Sequence, residues 1–301
     1  MVLGGSKMRI IENEALKVSV EDYGAELCSV LDKETGVERV WDGNPEVWNR
    51  HAPILFPFVG KVIDGVYRIG DKEYSMKTQH GFARDMVFEC VEEAADKVTH
   101  RLLATEETKA IYPYDFELFV THKFDEENPR ILQVIWEVVN HSEDTMYYSI
   151  GGHPAFTLPV NASEERREYF LEFPGRDNLE YVSVNLENGY IDADIVYPLE
   201  LDNGYVQFFD KIYDTLIFDY KNIEAVRIAK PDKTPYVTMT CGQFPMLGIW
   251  TKETGNFICL EPWFGRSDNV GFTGTVDEKP GVEKLAKEEK KVISYTVEFH
   301  K

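Results

Sequence analysis

The chain has 301 residues, 43% of them hydrophobic and 13% aromatic, with a formal net charge of -21. That is enough apolar material for one large all-β domain. The negative balance repels nucleic acid, and no basic stripe interleaved with aromatics offsets it, so the charge is read as a solubility feature. No apolar run of about 18 residues exists to span a membrane, and the N-terminus lacks an apolar signal core. Met1–Lys7, ahead of Met8, is read as a leader outside a single domain covering 8–301. Cys28, Cys90, Cys241 and Cys259 lie apart in apolar, strand-like settings with no C-x-x-C pair. Buried free thiols in a reducing, cytoplasmic compartment are expected.

In chain order, residues 9–20 alternate and predict two short strands around Asn13-Glu14. Residues 25–31 and 37–41, around Lys33-Glu34-Thr35-Gly36, predict a hairpin. Asn44-Pro45-Glu46-Val47-Trp48 predicts one helical turn with Asn44 as N-cap. The run 50–61 (RHAPILFPFVGK) holds two prolines in an apolar stretch, which argues against a central strand. It also carries Arg50, His51 and Lys61, and burying such groups is expensive unless they meet partners or a ligand. A hairpin over 67–74 then leads into Gln79-His80-Gly81-Phe82-Ala83-Arg84. From Met86 to Val139 one alternating strand follows another. Met146–Ile150 feeds Gly151-Gly152-His153-Pro154-Ala155-Phe156, where the glycines permit close backbone approach and Pro154 stops the strand. His153 is thereby presented at a strand end.

Residues 162–173 read as a charged surface excursion, and Asp214 opens a short strand. Strands are predicted over 225–229, 236–241 and 246–250. The strand at 256–260 is expected to end at Pro262, leaving Glu261 as its last residue beside Trp263 and Arg266. Residues 283–291 suggest a short helix or loop, and 292–300 the final strand. The helix-after-strand rhythm of an α/β fold is absent. The prediction is an all-β, antiparallel sandwich.

The candidate groups are Arg50, Lys61, His80, Arg84, His153, Asp214 and Glu261. Phosphate-loop, dinucleotide and G-x-S-x-G fingerprints are missing. A metal site drawn from His51, His80, His153 and Glu261 has no close H-x-H pair to support it, so no metal is expected. What remains is a His/carboxylate acid–base pair with cationic donors and an aromatic, Trp263, which suits a polyhydroxylated ligand. Taken singly, each of these groups is as readily a structural turn cap, ion pair or core residue.

Four motifs occur together and in order: Phe56-Pro57-x-x-Gly60-Lys61, His80-Gly81-Phe82-Ala83-Arg84, Gly151-Gly152-His153-Pro154-x-Phe156 and Cys259-Leu260-Glu261-Pro262-Trp263. In this combination the chain resembles the aldose 1-epimerase (galactose mutarotase-like) family, nearest its LacX-type and hexose-6-phosphate-epimerase-like branch. The resemblance spans roughly residues 10–299. It implies a twisted β-supersandwich with a sugar in an open cleft. Glu261 matches the family's general base and His153 its general acid. His80 and Arg84 match sugar-binding positions, and Lys61 falls where the galactose branch has an arginine. Asp214 corresponds to a hydroxyl-binding aspartate, with Arg50 a further binding candidate.

The implied reaction interconverts the α and β anomers of an aldohexose, free or phosphorylated, by ring opening and closure. It needs no redox cofactor or metal. The histidine limb of its pH profile is expected near 6.5 or somewhat above, beside a carboxylate. Two other readings stay open: a non-catalytic carbohydrate-binding domain on the same fold, and a glycoside hydrolase pairing Glu261 with Asp214 or Asp268. The sequence leaves the oligomeric state open.

Overall fold

The computed structural model describes residues 6–301, and Met1–Gly5 of the expected leader lie outside the described residues. The Ser6 hydroxyl accepts a hydrogen bond from Tyr23 N–H (2.8 Å), and the Lys7 carbonyl accepts one from Asp22 N–H (2.9 Å).

Strands dominate, and the one α-helix among the described residues is Glu106–Ile111. A nine-stranded antiparallel sheet is centred on Lys290–Phe299, Ile131–Asn140 and Phe116–Phe124. Period-two patterning builds it: the apolar Phe116, Leu118, Val120 and Phe124 are buried, with His122 in the same phase, while Glu117, Phe119, Thr121 and Lys123 are half-exposed. Each such side chain contributes on the order of 1.5–3 kcal/mol when fully buried. An eight-stranded sheet carries Met246–Trp250, Phe257–Phe264, Ile150–Gly152 and Ile54–Leu55 as neighbours, with Ala155–Thr157 also paired to Phe257–Phe264. The two sheets meet through aromatic contacts such as Phe156 with Phe299 (ring centroids 6.2 Å apart), and Phe244, in the turn between 240 and 246, packs on both Trp136 (5.8 Å) and Phe264 (5.2 Å). At Gly152 a Cβ would lie 3.1 Å from the Tyr295 hydroxyl, so glycine lets the layers close. The expected antiparallel β-sandwich is therefore the observed architecture.

Three local expectations change. Glu26–Asp32 joins Met8–Glu12 and Leu16–Glu21 in a three-stranded sheet, but 37–41 does not return as a hairpin strand. It makes only isolated bridges, because the Glu38 carboxylate itself accepts from Val30 N–H (2.8 Å) and Val40 N–H (3.1 Å) and takes the place of the ladder. In 283–291, Glu283–Leu285 pairs as a strand with Met146–Tyr148, and the last strand begins at Lys290. Buried Leu285 anchors that segment in spite of its charges. Within 162–173, Phe170–Glu172 joins the nine-stranded sheet. The turn at Asn44 forms as expected: Trp48 N–H reaches Asn44 O (2.8 Å), and the Asn44 side chain accepts from Glu46 N–H (3.0 Å).

Candidate active site

The strand Phe257–Phe264 passes through Pro262 rather than stopping there. Its register explains why. One edge is paired without a break from Cys259 to Trp263 with Met246–Trp250. The other edge has two short partners, Ala155–Thr157 against 257–259 and Ile150–Gly151 against 263–264. Leu260 N–H points into the junction between them, to Pro154 O (3.3 Å). Pro262, two residues on, faces the same side, so its missing N–H falls in the gap between partners. Glu261 is therefore mid-strand, fixed opposite Gly248. Alternation directs Ile258, Leu260 and Phe264 into the main core and leaves Phe257, Cys259, Glu261 and Trp263 on the opposite face.

That face floors a cleft of about 650 Å³. His153 sits in the same junction, its backbone N–H bonded to Pro53 O (3.1 Å). Its Nε2 lies 3.2 Å from Glu261 Oε2. Both groups are buried, at 8% and 1% exposure. His80 stands edge-on to His153, with centroids 5.7 Å apart. A reciprocal pair of bonds holds it: Gly60 N–H donates to His80 Nδ1 (3.0 Å), and His80 N–H donates to Gly60 O (2.9 Å). A Cβ at Gly60 would meet the Ser267 hydroxyl at 2.1 Å, so only glycine brings this backbone close enough. With Nδ1 accepting, the neutral ring carries its proton on Nε2, 2.9 Å from the Gln79 side-chain amide, whose oxygen is the end able to accept it.

The Trp263 indole lies across its neighbours. A Cβ at Gly151 or Gly248 would be 2.5 Å from the ring, so two glycines make room for it. Arg84 and Lys61 complete the cationic side of the cleft. The Arg84 guanidinium donates to Gln79 O (2.8 Å), and Lys61 Nζ reaches Asn188 O (3.3 Å).

Burial dominates the electrostatics. It pushes the Glu261 carboxyl well above its ordinary range, opposed only by Trp263. It lowers His153 to about 3, with the Arg84 charge adding to the effect, and holds His80 well below its usual value. Burial and the Arg84 charge both act against a histidine limb near 6.5. Both Glu261 oxygens, His153 Nδ1, Trp263 Nε1 and Arg84 Nε are buried without hydrogen-bond partners. Orphaned polar atoms are uncommon in folded proteins, and a cluster of them around a cleft is a place prepared for a polar ligand.

Six of the expected site residues line this cleft: Glu261, His153, His80, Arg84, Lys61 and Trp263. Two do not. Arg50 is engaged by Asp85, lies 3.8 Å from Glu26 and donates to the Arg84 carbonyl (3.1 Å). Asp214 is tied to Lys211 (2.9 Å), although its neighbours Tyr213 and Thr215 reach the cleft. Arg266 is also turned away, held by Asp219 (3.0 Å) and Asn269 (2.7 Å). Sequence reasoning missed Trp48 and Trp250, which box the His153 ring at 5.0 and 5.6 Å. Their signal was an indole just after a capped turn and another at a strand end.

The aldose 1-epimerase family matches residues 7–273 of the chain. The chain belongs to the aldose 1-epimerase family. Protein LacX (chromosomal) from Lactococcus lactis subsp. lactis is 31% identical over 286 residues, covering 91% of this chain and 93% of that protein. A galactose mutarotase related enzyme from Lactobacillus acidophilus is 30% identical, with a TM-score of 0.88 over 98% of each chain. A galactose mutarotase-like protein from Lactobacillus casei is 29% identical, with a TM-score of 0.87 over 98% of this chain and 100% of that one. The family and the fold mark a carbohydrate epimerase-type enzyme that acts on small sugars. Among the described residues no helix is long and apolar enough to cross a membrane.

Proposed function

We propose that this family member is an aldose 1-epimerase that interconverts the anomers of an aldohexose, with Glu261 and His153 exchanging the protons. The observation that carries the reading is the 3.2 Å approach of two buried, otherwise unsatisfied groups of opposite proton affinity on a cleft floor. The pair is coupled and holds one proton between its members. In the empty cleft that proton rests on Glu261, because burial disfavours both charges. A bound sugar brings hydroxyls to the orphaned atoms and lowers the cost of separating charge, so the proton passes to His153. Glu261 then takes the proton from the anomeric hydroxyl while His153 gives one to the ring oxygen. The bond between the anomeric carbon and the ring oxygen breaks, and the open aldehyde forms. Rotation presents the other carbonyl face, and the same steps in reverse close the ring to the other anomer. His80 donates from Nε2 to a sugar oxygen, and Arg84 and Lys61 read its outer oxygens.

Polarimetry on freshly dissolved α-D-glucose or α-D-galactose tests this, with wild type beside Glu261→Gln. Accelerated mutarotation by wild type alone is expected. No acceleration by the wild type, on free hexoses and on hexose 6-phosphates, would leave a sugar-binding protein without catalysis.

A further inference from the structure

Cys259 has no part in that chemistry, yet it sits beside it. Cys259 and Glu261 are two residues apart on one strand, so both side chains point to the same face. One ligand-capable atom each from His153, Cys259 and Glu261 lies within 4.8 Å of the other two, and all three residues are buried. An i, i+2 pair on a rigid strand with a third donor from the neighbouring segment is a geometry that places three ligands around one point.

We infer that His153, Cys259 and Glu261 form a binding site for a thiophilic divalent cation such as Zn²⁺, with the fourth position open to the cleft. The donor set is one imidazole, one thiolate and one carboxylate, the types that four-coordinate Zn²⁺ takes at about 2.0–2.3 Å. Ligands at those bond lengths stand roughly 3.3–3.8 Å from one another in a tetrahedron. The 3.2 Å separation of His153 Nε2 and Glu261 Oε2 is within about 0.1 Å of that range, and the Cys259 sulfur, within 4.8 Å of both, must close by up to about 1 Å. Charge supports the assignment. A divalent cation with one thiolate, one carboxylate and a neutral imidazole is electrically neutral, so the burial that disfavours each ion alone tolerates the assembly. Both Glu261 oxygens are without partners, and cation binding would satisfy them. Arg84 and Lys61 on the cleft wall oppose the cation, and Glu253 at the rim favours it.

The cation would occupy the atoms assigned above to proton transfer, so it acts as an inhibitor and not as a cofactor. Binding can be read without turnover, which separates the failure of this inference from failure of the epimerase reading. Titration of the purified protein with Cd²⁺ should develop a thiolate-to-metal absorption band saturating at one equivalent. Cys259→Ser should abolish that band, while Cys28, Cys90 and Cys241 remain as internal controls. Glu261→Gln, which keeps the shape of the site, should weaken Cd²⁺ binding about tenfold or more, and His153→Asn should do the same. If the wild type mutarotates, Zn²⁺ should stop it, a chelator should restore it, and Cys259→Ser should resist the inhibition. A band that survives in Cys259→Ser, no band at saturating Cd²⁺, or unchanged affinity in Glu261→Gln would overturn the site.

Discussion

Two carboxylates in this molecule are equally buried and electrostatically opposite. Asp32 is 0% exposed and Glu261 1%. Asp32 accepts from Arg39 (2.7 Å), Arg130 (2.8 Å), Glu34 N–H (3.1 Å) and Thr35 N–H (3.2 Å). Burial alone would raise it, yet the hydrogen bonds from Arg130 and Arg39 hold it well below the usual carboxylate range. Glu261 has no aligned donor and is pushed up. Loss of solvent contact is therefore not by itself what separates a structural charge from the proposed base. The difference is whether the protein itself supplies the partners. Asp32 ties the sheet formed by 8–32 to Arg130 and to the C-terminal strand through Arg39, which also donates to His300 O (2.7 Å). Glu261 is left for something that arrives.

The largest expected effects test that contrast directly. Glu261→Gln and His153→Asn should each lower the mutarotation rate by roughly 10²–10⁴-fold. The double variant should be little worse than either single one, because the two act as a unit. Glu261→Gln keeps the shape of the side chain and should move the unfolding free energy by no more than about 1 kcal/mol, since neither carboxyl oxygen accepts a hydrogen bond in the folded state. Asp32→Asn should behave the other way. It leaves the buried Arg39 guanidinium without its charge partner and Arg130 with Glu34 alone (3.1 Å), and should destabilise by about 3–5 kcal/mol in denaturant unfolding, with the rate per folded molecule unchanged. A stable Asp32→Asn protein, or an unstable Glu261→Gln protein, would collapse the distinction.

Acid should expose the same difference at smaller scale. His80 and His122 are buried and neutral, His122 lowered to about 3 and His80 well below its usual value, both first by burial. Between the unfolded value of about 6.5 and these lower values the unfolded chain binds protons that the folded chain refuses. Stability therefore falls as pH falls through this window, by about 1.4 kcal/mol per pH unit for each histidine at the limiting slope. The Glu261–His153 pair adds little there, because it holds one proton when folded and about one when unfolded. Denaturant midpoints at pH 7, 6 and 5 check the slope. In parallel, kcat/KM should show no inflection near 6.5. Activity should fade only as a second proton reaches His153 in strong acid, or as the shared proton leaves at high pH.

The fold was legible in the sequence where periodicity alone decides it. Residues 116–124 and 131–139 alternate cleanly, and they became the centre of the nine-stranded sheet. It was not legible where a side chain replaces a ladder, as Glu38 does, or where a single buried leucine overrides a charged run, as Leu285 does. The continuation through Pro262 could not be read locally, because it depends on a gap between two partner segments distant in sequence. Of the site, the residues carried by the four motifs converge on one cleft. Asp214 and Arg50, which rested on weaker matches, face other partners. The aromatic box around His153 was invisible for a different reason: Trp48, His153 and Trp250 meet only in three dimensions, and each indole alone reads as core.

Arg50 and Arg84 give the finest version of the comparison, one cation closely engaged by a carboxylate and one held by the Gln79 carbonyl (2.8 Å) with Asp85 only at 3.9 Å. The Arg84 Nε is buried with no acceptor, and its side chain lines the cleft. Arg50 is spent on Asp85 and on the Arg84 carbonyl. Arg84→Ala should therefore raise KM about tenfold, equivalent to ~1.4 kcal/mol of lost binding. The rise should be greater for a hexose 6-phosphate than for the free sugar if the guanidinium meets the phosphate, because charge-assisted bonds are the stronger kind. Arg50→Ala should change KM by less than about threefold for either sugar, since it acts only on the backbone that carries Arg84. Equal effects of Arg84→Ala on both sugars would remove the phosphate role and leave Arg84 reading hydroxyls. A larger effect from Arg50→Ala than from Arg84→Ala would mean that the position of the 83–85 backbone, and not the Arg84 guanidinium, sets affinity on this wall of the cleft.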